Sequence, residues 1–262
     1  MRKFWLWIAH IVVVATAFGA PEPNQARIQI ADGFDFPVGK PDAEGYYKAR
    51  GFRPNGHLGE DWNGIGGGNS DFDNPVYVVA HGIVVYVHDT PGGWGNVIVV
   101  RHLYYEGGTL KTVDSLYAHL NRMLVTMGKL VRRGDQIGTI GTAHGLYPAH
   151  LHFEMHKNLC MGVSRAGFRR DFTNFYSPTD FIVAHRKLPG GGGRMGMVAI
   201  NTFTGPGNAL AYSEDRGSKS LVFHGESNTD EQPSSASPPK NLPSKKRSTT
   251  FHVDRFGDLD SL

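Results

Sequence analysis

One cysteine, Cys160, stands in a chain of 262 residues. No intrachain disulfide can form, so any crosslink that stabilises the fold comes from packing or from a metal. Cys160 itself reads as a small buried hydrophobe. An excess of one charge is also missing: 27 basic and 24 acidic side chains leave a formal net charge of +3. Without Arg2 and Lys3 it falls to +1, so nothing argues for nucleic acid or another polyanion as a partner. Beyond the first twenty residues no apolar run is long enough to span a membrane. The helical metal motif HExxH is absent as well, so a metal site would have to be built from strands and loops.

What is present begins with MRKFWLWIAHIVVVATAFGA. Two basic residues, an apolar stretch and small residues at Ala15, Ala17, Gly19 and Ala20 have the layout of a secretory signal peptide. Cleavage is expected between Ala17 and Pro21; an uncleaved membrane anchor is the alternative. The run is nearer a signal core than a spanning helix in length. No cysteine lies near the cleavage region to carry a lipid. The protein is therefore expected outside the cytoplasm, in the periplasm or beyond, with no stable membrane anchor after cleavage.

Composition changes near residue 188, where PGGGG is followed by a stretch rich in Ser, Pro and charge of both signs. Three segments are expected: a signal peptide over 1–19, one domain over 20–187, and a low-complexity, disordered tail over 188–262. Within the domain the pattern is β. PVYVVA (75–80), GIVVYVHD (82–89), NVIVVRH (96–102), TVDSLYAHL (112–120), DQIGTIG (135–141) and HLHFEMH (150–156) are short, rich in Val, Ile and Tyr, and punctuated by Gly, Asn or Pro. Short glycine-bearing links favour antiparallel hairpins over crossovers. A helix is expected only at SPTDFIVAHRK, opened by the capping-type residues Ser177 and Thr179. The expected class is mainly β.

The strand AHLHFEMHK places His150, His152, Glu154 and His156 at alternating positions, hence on one face. Such groups are costly to bury unless something pairs them. A second stretch, GHLGEDWNG, puts His57 and Asp61 four apart in a glycine-rich segment. Imidazole nitrogen and carboxylate oxygen are good zinc ligands, and a catalytic zinc takes three protein ligands and leaves one position open. His57, Asp61 and one strand histidine could supply the three. Each motif alone is weak; together in one domain they are much stronger.

HLGEDWNG, DNPVYVVAHGIVVYV, GGWGNVIVVRH, SLYAHL, GKLVRRGDQIGTIG and PAHLHFEMH occur in the order found in the lysostaphin/LytM-type zinc endopeptidases, which cut the peptide part of bacterial cell walls. The resemblance covers about residues 50 to 156. It implies an antiparallel β-sheet domain with a groove, the duplicated hybrid motif, and peptidoglycan peptides as substrate. It also implies zinc (Zn2+) held by His57, Asp61 and His152, with His119 and His150 as catalytic histidines. Which of these two takes the proton and which stabilises the transition state stays open. Glu154 reads either as the carboxylate that orients a ligand imidazole or as a salt-bridging surface residue. His156 is expected at the solvent end of the strand, and His102 in a structural hydrogen bond. His81, His88, His144 and His185 carry no functional assignment, although His144 could line the groove. Trp62 and Trp94 are expected to pack, with groove walls as the alternative.

The leading expectation is a zinc metalloendopeptidase of peptidoglycan. The alternatives are a non-catalytic relative that binds peptidoglycan or activates another hydrolase, and a zinc endopeptidase acting on proteins. None of the five site residues is missing, which favours an enzyme.

Overall fold

The computed structural model describes residues 24–188 and 193–204. The expected signal peptide and the tail beyond residue 204 lie outside the described residues. Within them the strands are β1 (Gln25–Gln29), β2 (Tyr46–Arg50), β3 (Glu60–Gly64), β4 (Pro75–Tyr77), β5 (Gly82–Thr90), β6 (Gly95–Glu106), β7 (Thr109–Met123), β8 (Leu130–Val131), β9 (Gln136–Ile140), β10 (Leu151–His156), β11 (Phe175–Tyr176) and β12 (Met195–Ala199). One α-helix, α1 (Pro178–Ala184), precedes the last strand. The protein is mainly β, as its short segments rich in Val, Ile and Tyr lead one to expect. Among the described residues no helix is long and apolar enough to cross a membrane.

The main sheet runs β2-β3-β10-β7-β6-β5-β8, with β11 beside β10 and the β4–β9 pair attached through β7. Its strand pairs are antiparallel. The long β6–β7 hairpin is closed by Gly107 and Gly108 alone, since Glu106 pairs with Thr109. Both glycines have positive φ, 57° and 79°, as a two-residue turn that follows the twist of its strands demands. This hairpin is the spine on which the site is mounted, since β10 pairs with β7.

The central strands are covered on both faces. Ile98 and Val100 of β6 pack in one buried cluster with Tyr104, Tyr117, Phe153 and Phe181. Val97 and Val99 pack in another with Ile28, Leu116 and Val198. Burial on both faces explains why NVIVV reads as an unbroken apolar run rather than an alternation. β4, β9 and α1 cover the first face. The second is covered partly by a separate two-stranded sheet, β1 paired antiparallel with β12.

One strand of that small sheet lies beyond the boundary expected at residue 187. Residues 193–204 stay with the fold: Val198 is 5% exposed and belongs to the second buried cluster. Its apolar stretch is short, and its partner strand lies at the other end of the domain, so no local periodicity announces it. α1 starts where expected, with Pro178 in its first turn. Thr179 does not cap it; its hydroxyl donates to Glu60 Oε2 at 2.7 Å.

Candidate active site

The site begins with register. On β10, Leu151, Phe153 and Met155 face the first core cluster, which turns His152, Glu154 and His156 to the opposite face. His152 is paired directly with Asp61 of β3 on one side and Ala118 of β7 on the other. Directly opposed residues share a face, so Asp61 and His152 are side-by-side, and the small Ala118 leaves space above them. His57 approaches from the loop before β3. Three donor atoms converge: His57 Nε2 lies 3.0 Å from Asp61 Oδ1 and 3.1 Å from His152 Nδ1, and His152 Nδ1 lies 2.9 Å from Asp61 Oδ1. Gly59 makes room for this meeting. A Cβ there would stand 2.8 Å from Glu154 Cγ and 3.0 Å from His152 Cε1.

The outward nitrogens decide what the inward ones can do. His57 Nδ1 faces the Gly51 carbonyl at 3.1 Å, and His152 Nε2 faces Glu154 Oε1 at 2.7 Å. Both partners accept only, so each neutral ring donates its single proton outward and turns a lone pair inward. Burial pushes the His152 imidazole below its ordinary pKa, which keeps it neutral. Burial opposes the charge on Asp61; with a proton on an inward ring nitrogen, His152 and His57 outweigh that cost and hold the carboxyl below the ordinary carboxylate range. Two imidazole lone pairs and an ionised carboxylate thus face one another across about 3 Å. Tetrahedral zinc with ligand distances of about 2.0–2.2 Å requires ligand separations of about 3.3 Å, within a few tenths of those found. The donor set fits: His57, Asp61 and His152 could hold a metal ion.

His119 and His150 stand at the same cleft, a cavity of about 320 Å³ that all five residues line. His119 reaches it through a bulge. Ile98 pairs with Tyr117 but Asn96 with Leu120, so Ala118 and His119 together oppose one residue of β6. Tyr117 and Leu120 both keep to the core, and the extra residue turns His119 to the cleft, at a φ of 62°. Such backbone strain concentrates at functional sites. The Trp94 carbonyl accepts from His119 Nδ1 at 3.0 Å, and the Pro148 carbonyl accepts from His150 Nδ1 at 2.8 Å. Each neutral ring therefore has Nε2 as its basic atom. The two ring centroids are 4.9 Å apart, and His150 Nε2 is 3.8 Å from Asp61 Oδ1. Burial, reinforced by His152 and His150, pushes His119 down to about 3.

Glu154 is fully buried and does what its alternation allows: it accepts from His152, from His156 at 2.6 Å, and from Arg165. The expectation for His156 is corrected here. It is 1% exposed, not at a solvent end, because β11 and the segment before it close over this end of β10, with Phe175 ring-to-edge against it. His144 stays outside the cleft and pairs with Asp89 at 2.8 Å on the surface. Trp62 packs in the core, whereas Trp94 lines the cleft. Tyr147, Arg50 and Arg165 also line it and were not singled out from sequence. Tyr147 could have been noticed three residues before His150. Arg165 arrives from a long irregular segment, and no local pattern marks it.

Comparison with known proteins follows the same lines. The pattern of peptidase family M23 matches residues 60–162. Lipoprotein NlpD of Yersinia enterocolitica is 35% identical over 81 residues, 31% of this chain and 75% of that protein. Peptidoglycan DD-endopeptidase ShyA of Vibrio cholerae is 37% identical over 81 residues, 31% of this chain but 17% of ShyA. The chain thus spans less than a fifth of ShyA. Among solved structures, the antimicrobial peptidase lysostaphin from Staphylococcus simulans aligns over 57% of this chain and 52% of its own, at 23% identity and a TM-score of 0.38.

Proposed function

This chain belongs to peptidase family M23, and from that premise we propose that it is a zinc-dependent endopeptidase that hydrolyses peptide bonds of bacterial peptidoglycan outside the cytoplasm. The observation that carries the reading is the triangle of inward acceptors on His57, Asp61 and His152. Nothing but a cation or a proton relieves three such atoms, and the outward bonds keep protons on the other side of both rings. Peptidoglycan as substrate is supported by the name of ShyA, and export by the N-terminal layout.

Zinc held at this triangle supplies Lewis acidity, polarising a carbonyl oxygen and lowering the pKa of water to near 7. The chain's own residues do the rest. His57 and His152 turn a ring nitrogen to the triangle because the Gly51 carbonyl and Glu154 fix the other nitrogen of each ring, an orientation that ligating histidines depend on. Asp61 supplies the one negative charge. His119 and His150 divide two tasks at Nε2: one, neutral, accepts a proton from the attacking water, and the other, carrying a proton on both nitrogens, donates at Nε2 to the oxygen of the scissile carbonyl. Their Nδ1 bonds to Trp94 and Pro148 carbonyls hold both rings edge-on to the cleft. Tyr147, its ring 4.9 Å from His119, walls the outer side.

Incubating the full chain with peptidoglycan and with casein, with and without a chelator, tests the reading. Soluble peptide fragments from peptidoglycan that disappear with chelator are expected. Cleavage of casein alone would make the protein a zinc endopeptidase of proteins. Zinc binding with no cleavage of either would make it a binding or activating relative.

A further inference from the structure

β2 runs out at the cleft, and a bulge decides which of its residues arrives there. Tyr46, Tyr47 and Lys48 pair in step with Gly64, Asn63 and Trp62, but the next pair is Arg50 with Asp61. Ala49 is the extra residue. Had the ladder continued in step, Ala49 would stand opposite Asp61 and Arg50 opposite Glu60. Opposed residues share a face, and bulges re-aim side chains beside active sites. The irregularity therefore puts an arginine, in place of an alanine, at the position opposite Asp61. Arg50 lines the cleft accordingly.

The two arginines of this cleft differ in what they are already doing. Arg165 is paired with Glu154 and stacked 4.4 Å over the Trp94 ring. Arg50 is exposed and has no side-chain hydrogen bond, ion pair or ring contact among the described residues. Asp61 is the one acid among the residues that line the cleft. A divalent cation at the triangle exceeds its charge by one, and Arg50 adds another. The cleft's complement is an anion.

We propose that Arg50 is a specificity residue that receives a carboxylate of the substrate peptide close to the bond that is cut. A guanidinium offers two parallel N–H groups matched to the two oxygens of a carboxylate, a fit that lysine does not reproduce. The proposal rests on reading the cleft as a peptidase site. The carboxylate belongs either to an acidic side chain of the peptide or to its free C-terminus; the chemistry at Arg50 is the same.

The test uses the full chain and one synthetic tetrapeptide with an acidic side chain and a free C-terminus. Three further forms are amidated at the side chain, at the C-terminus, or at both. KM and kcat are measured with the zinc-loaded protein, and binding by calorimetry with the chelator-treated protein. The wild type is expected to favour the free-acid form over the doubly amidated form by about 10–100-fold, chiefly in KM, the size of a charged hydrogen-bonded contact. In Arg50→Gln that ratio falls to about one with zinc content at the wild-type level, and Arg50→Lys retains part of it. The singly amidated peptides tell which carboxylate is read. A preference that survives in Arg50→Gln, or no preference in the wild type, overturns the proposal. If no form is cleaved while calorimetry still shows acid-selective binding that Arg50→Gln removes, the peptidase reading fails and the carboxylate site stands.

Discussion

His102 and His152 lie buried in the same sheet, 0% and 7% exposed, and in opposite chemical situations. His102 is closed on itself. Its Nδ1 donates to the His81 carbonyl at 2.9 Å, and its Nε2 pairs with the Ser115 hydroxyl at 2.7 Å. Beside it Arg101 and Asp114 form a two-pronged ion pair, both bonds 2.7 Å and both residues buried. Every strong group there has its partner inside the fold. Around His152 the outward nitrogen is satisfied in the same manner, but the inward one faces two more acceptors, His57 Nε2 and Asp61 Oδ1. A buried polar group left in that state is costly. What separates a structural histidine from a candidate ligand is therefore the balance of donors and acceptors around it, since burial alone makes the two look alike.

The contrast breaks most sharply at the triangle. His57→Ala or His152→Ala removes one of three proposed ligands, and both zinc and all measurable peptide cleavage are expected to be lost. His102→Ala is expected to keep zinc at the wild-type level in whatever fraction folds. Metal analysis of the purified variants checks both statements, and full zinc in His152→Ala would sink the assignment. One step outward, His119→Ala and His150→Ala are expected to keep zinc while turnover falls by about 10²–10⁴-fold, the usual cost of a positioned acid–base group. Their zinc content against their cleavage rate separates ligands from proton carriers.

At the closed end the expected effects are on stability. Arg101→Leu leaves Asp114 buried without its partner and also removes donors to the Ala199 and Leu159 carbonyls. A loss of about 3–5 kcal/mol is expected, with zinc still bound per folded molecule; denaturant unfolding followed by metal analysis measures it. Ending the chain at Lys187 rather than Thr204 removes β12, and with it the bond from Arg101 to Ala199 and the burial of Val198. One buried Val and a few hydrogen bonds amount to roughly 2–4 kcal/mol. Equal stability of the two chains would show that β12 contributes nothing to the domain.

Much of this was legible because strand period and register are local properties. The alternation of His152, Glu154 and His156 on β10 gives a shared face from spacing alone, and the antiparallel class follows from short glycine links. The convergence of His57, Asp61, His119, His150 and His152 on one cleft needed motif order as well. The misses have physical reasons. His156 has the same alternation as His152, but its burial comes from β11 and the loop before it, which no period in β10 encodes. β12 pairs with β1 across nearly the whole domain. The bulges that turn His119 and Arg50 each hinge on one extra residue, and a bulge leaves no mark in a run such as SLYAHL or YYKAR.

The finest test of the contrast is Glu154→Gln. Glu154 Oε1 accepts from His152 and Arg165, and Oε2 accepts from His156. Glutamine keeps the shape and one acceptor but turns the other into an N–H₂ donor. If that donor faced His152, two N–H groups would collide, and relief would require moving the ring's proton to Nδ1, into the triangle. If it faces His156, that ring can move its proton to Nδ1, which has no hydrogen-bond partner among the described residues, and accept from the amide at Nε2. The second arrangement leaves the carbonyl oxygen for His152 and Arg165 and costs less. His152 then keeps its tautomer and loses only the negative charge behind it. A drop in zinc affinity of about 10–100-fold is expected, roughly 1.4–2.7 kcal/mol, in a chain that still folds. Competition against a chelator of known strength measures it. Unchanged affinity would mean that Glu154 serves to anchor Arg165 and its segment and has no hold on the orientation of His152.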